Sequence, residues 1–565
     1  MIAGAIVPFT ALFPQIDWGG LIDYDEASPL IFTRFFFWGF FAVVLAVYSV
    51  IYRQRAVRNA WLFAASLFFY WKTSGLFVGL LFFSITMDWA IGLASEARSK
   101  QVHKQLLLAL SITINLSVLG FFKYGHFVVE NVNALLGTAF TPVNYFAHWA
   151  NLAWDAHFVE NKILLPVGIS FYTFQCMSYA VDVYRGQLKP VRNILDFGFF
   201  VSFFPQLVAG PIVRASEFIP QLYKDYALSR TQFGIALFWI LNGLVKKMVV
   251  GDYIAVNFID RVFSDPLRFT GFENLMALYG YSLQVYADFS GYTDIAIGVA
   301  LLMGFTLPMN FNSPYKAHSV AEFWRRWHMS LSTWLRDYLY IPMGGNRSGS
   351  LFSWIMMGVI GIAVVLLTGW VWLPVVYLSL VALFAVLTRL FPSVQNMVTT
   401  NLNLMITMLI GGLWHGASWM FVIWGGLNGI GLVVYKFWRR VSPWENSTKW
   451  IVRPWTILIT FSFITFTRIW FRGDSLETAN KILHQISSAF GAHLVGDVLW
   501  GFRSVFGVML VGFVVHWLPA SFKEAYRQRF AALPLWAMAL ISAGVVFGIY
   551  QTLTAQMVPF IYFQF

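Results

Sequence analysis

The sequence predicts an all-α polytopic membrane protein, and three observations predict it. Of 565 residues, 58% are hydrophobic and only 11% are charged, against roughly 25% charged in a soluble globular chain. The apolar residues gather into long runs that contain no Asp, Glu, Lys or Arg. The basic residues fall in short segments between those runs, as they do in cytoplasmic loops. A chain this apolar satisfies its backbone in lipid by folding into helices.

Taken along the chain, residues 35–52, 106–122 and 163–181 are uncharged. Residues 351–388 are long enough for two spans at about 20 residues each, with Trp370-Val371-Trp372-Leu373-Pro374 as the turn. The final run, 530–565, is also uncharged. The expectation is about a dozen transmembrane helices, with re-entrant or amphipathic helices besides. Arg53, Arg55 and Arg58 follow the first span, Arg98, Lys100 and Lys104 form a second basic loop, and Arg185, Lys189 and Arg192 a third. Between the last two lies a loop, 125–161, with Glu130, Asp155 and Glu160 but no Lys or Arg. This alternation puts the N-terminus and the acidic Asp23, Asp25 and Glu26 outside the cytoplasm.

The net charge of +12 admits a nucleic-acid or a membrane reading. Its confinement to short loops selects the membrane and excludes nucleic acid. Cys176, the single cysteine, excludes an internal disulfide framework and a thiolate metal cluster, and no metal site is expected. Residues 1–14 are apolar but lack the basic start of a cleavable signal. No linker or internal repeat divides the chain, so residues 1–565 read as one integral membrane domain.

Residues 318–347 break the apolar pattern. They carry Glu322, Arg325, Arg326, Arg336, Asp337 and Arg347, too many charges for a lipid-facing span. They also carry Trp324, Trp327, Trp334, Tyr338 and Tyr340, too aromatic for an ordinary loop. The segment reads as one amphipathic or re-entrant helix ending at Gly344-Gly345-Asn346. Glu322 and Arg326 form an i, i+4 ion pair on it. His328 lies inside that helix, with Arg325 a turn before and Ser332 a turn after. An interfacial helix whose arginines meet lipid phosphates accounts for the same residues.

His415, in Trp414-His415-Gly416, lies between the apolar runs 401–413 and 418–435. An ionisable residue at membrane depth is a functional-site hypothesis, and imidazole is suited to proton transfer near neutral pH. Asp288 and Asp294 flank Phe289-Ser290-Gly291-Tyr292-Thr293; they read as structural carboxylates, paired with Arg or capping a helix break near Gly291. Residues 203–211, with two prolines, suit a re-entrant loop or kinked helix. Lys246, Lys247 and Arg214 read as cytoplasmic-face charges, and His126, His148 and His157 as solvated loop residues.

The run Glu322-Phe323-Trp324-Arg325-Arg326-Trp327-His328, followed by Ser330-Leu331-Ser332-Thr333-Trp334-Leu335-Arg336-Asp337-Tyr338, resembles the membrane-bound O-acyltransferase (MBOAT) family. The likeness is to its bacterial polysaccharide O-acetylation branch, alginate among its polymers. Leu165-Pro166-Val167-Gly168-Ile169-Ser170-Phe171-Tyr172, residues 204–211 and 288–294, and Gly411-Gly412-Leu413-Trp414-His415-Gly416 agree as well. The likeness covers residues 60–475, leaving 1–59 as a divergent N-terminal region and 476–565 as additional C-terminal helices. It implies a ring of helices around a central funnel, in the bacterial inner membrane. A thioester donor, acetyl-CoA, arrives from the cytoplasm and a hydroxyl acceptor from outside. No cofactor is bound. The partners implied are membrane lipids and either an exported polysaccharide or a separate periplasmic acetyltransferase. His415 matches the family's buried catalytic histidine and His328 its second functional position. Asn428, in Trp424-Gly425-Gly426-Leu427-Asn428-Gly429, stands where many relatives carry a histidine, and it falls on the substrate side of the expected site.

The residue types fit that chemistry. Transfer of an acyl group from a thioester to an alcohol needs a base for the hydroxyl proton and donors for the developing oxyanion. His415 suits the base, and His328 and Ser332 suit the donors. Arg325, Arg326 and Arg336 suit the phosphates of coenzyme A. Other readings are a polysaccharide or proton-coupled transporter with a histidine relay, and an acyltransferase that uses a carrier-protein or lipid substrate.

Overall fold

The computed structural model describes residues 23–25, 29–154, 159–160, 163–347, 349–368, 372–445, 447 and 449–552, which are helical with no strand among them. Outside these fall Trp370 and Val371 of the expected turn, His157, Asp155, Glu26, residues 1–14 and the end of the last apolar run.

Among the described residues, six helices are long and apolar enough to cross a membrane, or seven if the bent pair Ala492–Gly501 and Arg503–Trp517 counts as one span. The chain is therefore a multi-pass membrane protein. Length and apolarity alone do not reach about a dozen spans. Gly271–Leu302, 32 residues long, is outside the six; it buries Glu273, Asn274, Asp288 and Asp294, and its surroundings are protein on most sides.

Nine helices bear on the buried polar groups. They are α1 (Gln101–Leu119), α2 (Ile169–Tyr184), α3 (Arg230–Leu244), α4 (Gly271–Leu302), α5 (Val320–Arg326), α6 (Met329–Leu335), α7 (Pro392–His415), α8 (Trp419–Val441) and α9 (Val452–Arg472). Two antiparallel pairs, α3 with α4 and α7 with α8, form the most extensive contacts. Each is brought close by glycine. A Cβ at Gly298 of α4 would come 2.5 Å from the Ala236 carbonyl oxygen of α3, and one at Gly425 of α8 would come 2.5 Å from that of Met408 in α7. Small residues at such crossings let backbones meet, which is how helices associate where lipid supplies no hydrophobic drive. The entries to α3 and α4 are fixed by capping boxes, Ser229 with Gln232 and Thr270 with Glu273.

Several expectations change here. Residues 125–161 contain helices Gly125–Leu136 and Tyr145–Trp154, the first of which continues α1 through a π-turn at Gly120–Tyr124. Within this region His148 pairs with Glu160 at 2.9 Å. Helix α4 does not break at Gly291; that glycine faces Gly243 of α3 and permits the crossing. Asp288 and Asp294 pair with lysines, not arginines: Asp288 with Lys247 at 2.6 Å, Asp294 with Lys246 at 2.7 Å and Asn242 at 2.6 Å. Lys247 also holds Asp252 at 2.6 Å and is buried, so Lys247 is an interior charge and Lys246 a half-buried one, both carried on a π-helix, Val245–Asp252, that follows α3. Cys176 of α2 lies against Asp88, a polar neighbour that its own segment does not contain.

Candidate active site

The segment 318–347 is two short helices, not one. Ser319 caps α5 by accepting from the Glu322 N–H, and the Glu322–Arg326 ion pair forms at 2.7 Å. The chain then breaks at Trp327-His328. His328 adopts φ +45°, ψ +54°, the left-handed region, before α6 begins at Met329. A non-glycine residue there costs on the order of 1–3 kcal/mol and persists only where its surroundings hold it. Those surroundings are visible. Asn310, from the loop after α4, accepts at Oδ1 from the Ser330 N–H at 3.1 Å, from Ser330 Oγ at 2.9 Å and from His328 Nδ1 at 3.1 Å. Its backbone oxygen accepts from the Met329 N–H at 2.9 Å.

This arrangement sets a tautomer. A backbone N–H only donates, so the Asn310 atom it reaches is the oxygen, and the neutral His328 ring must donate to that oxygen from Nδ1. Nε2 is then the nitrogen that carries the lone pair. The His328 ring is fully buried, edge-on to Phe289 of α4 at 4.7 Å between centroids.

His415 is the last residue of α7 and is buried. Its ring lies 5.1 Å from Trp424 of α8 and 5.3 Å from Phe471 of α9, both edge-on. The terminal carbonyls of a helix lack intrahelical donors. Here Tyr124 donates to the Leu413 oxygen at 2.7 Å, and Lys123 donates to the oxygens of Trp414 and His415. A cation at a helix C-terminus is favoured by the helix dipole. The π-turn after α1 therefore anchors the end of the helix that carries His415. Gly416 follows because the Phe421 ring fills the space a Cβ would need.

One indole joins the two histidines. Trp414 lies 5.6 Å from the His328 ring and 5.0 Å from that of His415. It also stacks near Phe174 of α2, whose other face meets Trp334 of α6 at 3.8 Å. Residues distant in sequence thus converge on one buried aromatic cluster.

The other expected residues distribute unevenly. Ser332 sits a turn after His328, its hydroxyl donating to the Trp327 oxygen at 3.3 Å. Asn428 is buried behind Trp424, donating to that residue's oxygen at 2.9 Å. Arg326 is taken up by Glu322 and by the Asn312 oxygen. Arg336 is exposed and pairs with Asp337, which Arg214 holds from the other side at 2.6 Å; Arg325 is exposed. A cavity of about 780 Å³ opens beside α5, α8 and α9, lined among others by His318, Glu322, Tyr435 and Arg453; neither His328 nor His415 lines it.

The sequence profile of the membrane-bound O-acyltransferase family matches residues 102–402. The chain belongs to that family. It is similar to the peptidoglycan O-acetyltransferase of Helicobacter pylori, 34% identical over 497 residues, covering 83% of this chain and 80% of that one. It is similar to the probable alginate O-acetylase AlgI of Pseudomonas aeruginosa, 35% identical over 82% of this chain and 76% of that one. A teichoic acid D-alanyltransferase of Bacillus subtilis is 28% identical over 55% of this chain and 69% of that one. This MBOAT chain is thus a membrane O-acyltransferase, as its fold and composition require of a multi-pass enzyme.

Sequence reasoning missed four residues that the structure brings beside the two histidines: Asn310, Lys123, Tyr124 and Arg468, the last with Cζ 4.6 Å from the Trp327 ring centroid. Nothing local to Asn310 reveals that its side chain crosses to His328. Lys123 and Tyr124 sit at an unremarkable junction between an apolar run and a loop. Arg468 had a signal: it is a lone charge inside the uncharged run 454–467 and its continuation to Phe471.

Proposed function

We propose that this protein moves an acetyl group from a cytoplasmic thioester, acetyl-CoA, to a hydroxyl presented outside, on an exported polysaccharide or on a periplasmic partner protein. The observation that carries this reading is the pair of buried histidines that both pack against Trp414. Relatives that acetylate peptidoglycan and alginate support the acetyl group and the polymer. The alternation of basic and acidic loops supports an inner-membrane protein with its N-terminus outside.

In this reading His415 accepts the acceptor's hydroxyl proton as the oxygen adds to the thioester carbonyl carbon. The tetrahedral adduct collapses with cleavage of the C–S bond, and the proton passes to the departing sulfur, giving ester and thiol. His328 and Ser332 hold the reacting groups, His328 in the tautomer that Asn310 imposes. Exposed Arg325 and Arg336 meet the donor's phosphates, with Arg326 stiffening α5 through Glu322. Asn428 supports Trp424 behind His415. Asp288 and Asp294 serve the scaffold.

The test is incubation of the purified protein with labelled acetyl-CoA, long-chain acyl-CoA or an acyl-loaded carrier protein, each with peptidoglycan, alginate and lipid present. Label passing from acetyl-CoA to a polymer hydroxyl or a partner's serine is the expected result. Label taken only from the carrier replaces acetyl-CoA in the account. Proton-coupled flux with no acyl product from any donor overturns it in favour of a transporter.

A further inference from the structure

Arg468 lies on α9 with about 1% of its surface exposed. Its guanidinium lies over two aromatic rings, with Cζ 4.6 Å from the Trp327 centroid and 5.2 Å from that of Phe471. Trp327 precedes His328 in the chain, and Phe471 packs edge-on against the His415 ring. The arginine therefore sits beside both halves of the histidine site.

The polar contacts of this group are incomplete. Tyr315 is its polar neighbour, while Nε and Nη1 make no hydrogen bond among the described residues. No carboxylate forms an ion pair with it among those residues either. Aromatic faces attract the charge of a guanidinium but leave its N–H donors to be paired elsewhere. A charged group buried this way is costly unless something completes it. The two open donors lie on different edges of the guanidinium, Nε–H on the Nη2 side and Nη1 on the Cδ side, so an anionic oxygen meets one of them.

We propose that Arg468 is a further catalytic residue, one of its open N–H donors binding the negative charge that develops on the thioester carbonyl oxygen during acyl transfer. The proposal rests on the acyl-transfer reading above. As the acceptor oxygen bonds to the carbonyl carbon, the C=O electron pair moves to the oxygen and the hydroxyl proton moves to His415. The arginine holds that oxygen until the pair returns, the C–S bond breaks and the proton leaves with the thiol. The aromatic clamp fixes the donors before the charge forms, the condition under which such stabilisation is strongest.

The full-length protein, labelled acetyl-CoA and saturating alginate or peptidoglycan test it. Arg468→Met keeps the stacking length and removes the donors; it should lower kcat about 10²- to 10³-fold with KM for acetyl-CoA nearly unchanged. Arg468→Lys should recover part of kcat, and guanidinium ion at non-denaturing concentration should restore turnover to Arg468→Ala but not to His415→Ala. Near-normal kcat in Arg468→Met overturns the proposal. So does a rise in KM for an acidic polymer with kcat intact, which would make Arg468 a binder of acceptor carboxylates. Loss of turnover in all variants with no guanidinium rescue also overturns it, as the mark of a structural role. If Arg468→Met fails to reach the membrane, the lysine variant and the rescue arm decide alone. A wild type that transfers no acyl group from any thioester sinks the functional reading itself, a result separate from failure of the arginine.

Discussion

Two buried polar regions of this molecule are built on opposite rules. Between α3 and α4 every interior charge meets an opposite one: Lys246 with Asp294, and Lys247 with Asp288 and Asp252, all at 2.6–2.7 Å. Around Trp414 the cationic side chains Lys123 and Arg468 form no ion pair among the described residues, and rest instead on backbone oxygens and aromatic faces. Two histidines share that region with them. Charges that cancel within the protein support a scaffold, since removing one partner strands the other in low dielectric. Charges held by carbonyls and rings keep their capacity for an anionic group or a moving proton. On the proposed reading, the difference separates the part of the MBOAT chain that holds the fold from the part that performs transfer.

Four perturbations sharpen or break that contrast, taken from the largest effect downward. His415→Ala should lower acetyl transfer by about 10²- to 10⁴-fold, the range of a lost general base, while the amount of protein in the membrane stays at the wild-type level. Lys247→Met should cost about 3–5 kcal/mol, because Asp288 and Asp252 are left buried without a counter-charge. Thermal unfolding in detergent reads this, and turnover per folded molecule should be nearly unchanged; a fall in turnover at wild-type stability would erase the distinction between the regions. Asn310→Ala should lower turnover about 10- to 100-fold, since a hydrogen bond that fixes a buried polar group is worth about 1–3 kcal/mol. Gly425→Ala should cost about 1–3 kcal/mol of stability by forcing α7 and α8 apart, with a modest loss of turnover as the end of α7 shifts.

The fold class was legible because lipid demands long uncharged helices, and the runs at 35–52, 106–122 and 351–388 announce them. The histidines were legible because charge is rare in such a chain. What could not be read is how separate segments cross. The periodic apolar pattern continues across Trp327 and His328, so it hides a break enforced by Asn310 from another loop. Gly291 looks like a helix breaker in one dimension, and only the approach of Gly243 explains it. Lys246 and Lys247 resemble loop charges until Asp288 and Asp294 arrive from α4. Arg468 drew no notice among aromatic neighbours, since its significance lies in where Trp327 and Phe471 meet.

The central claim is that His328 and His415, both packed against Trp414, work as one unit. Single-turnover transfer from labelled acetyl-CoA, measured for His328→Ala, His415→Ala and the double variant at equal membrane content, tests it most directly. The account predicts severe loss in each single variant and no further loss in the double, the non-additivity of residues acting together. Losses that multiply in the double variant, or near-normal transfer by His415→Ala, would contradict it.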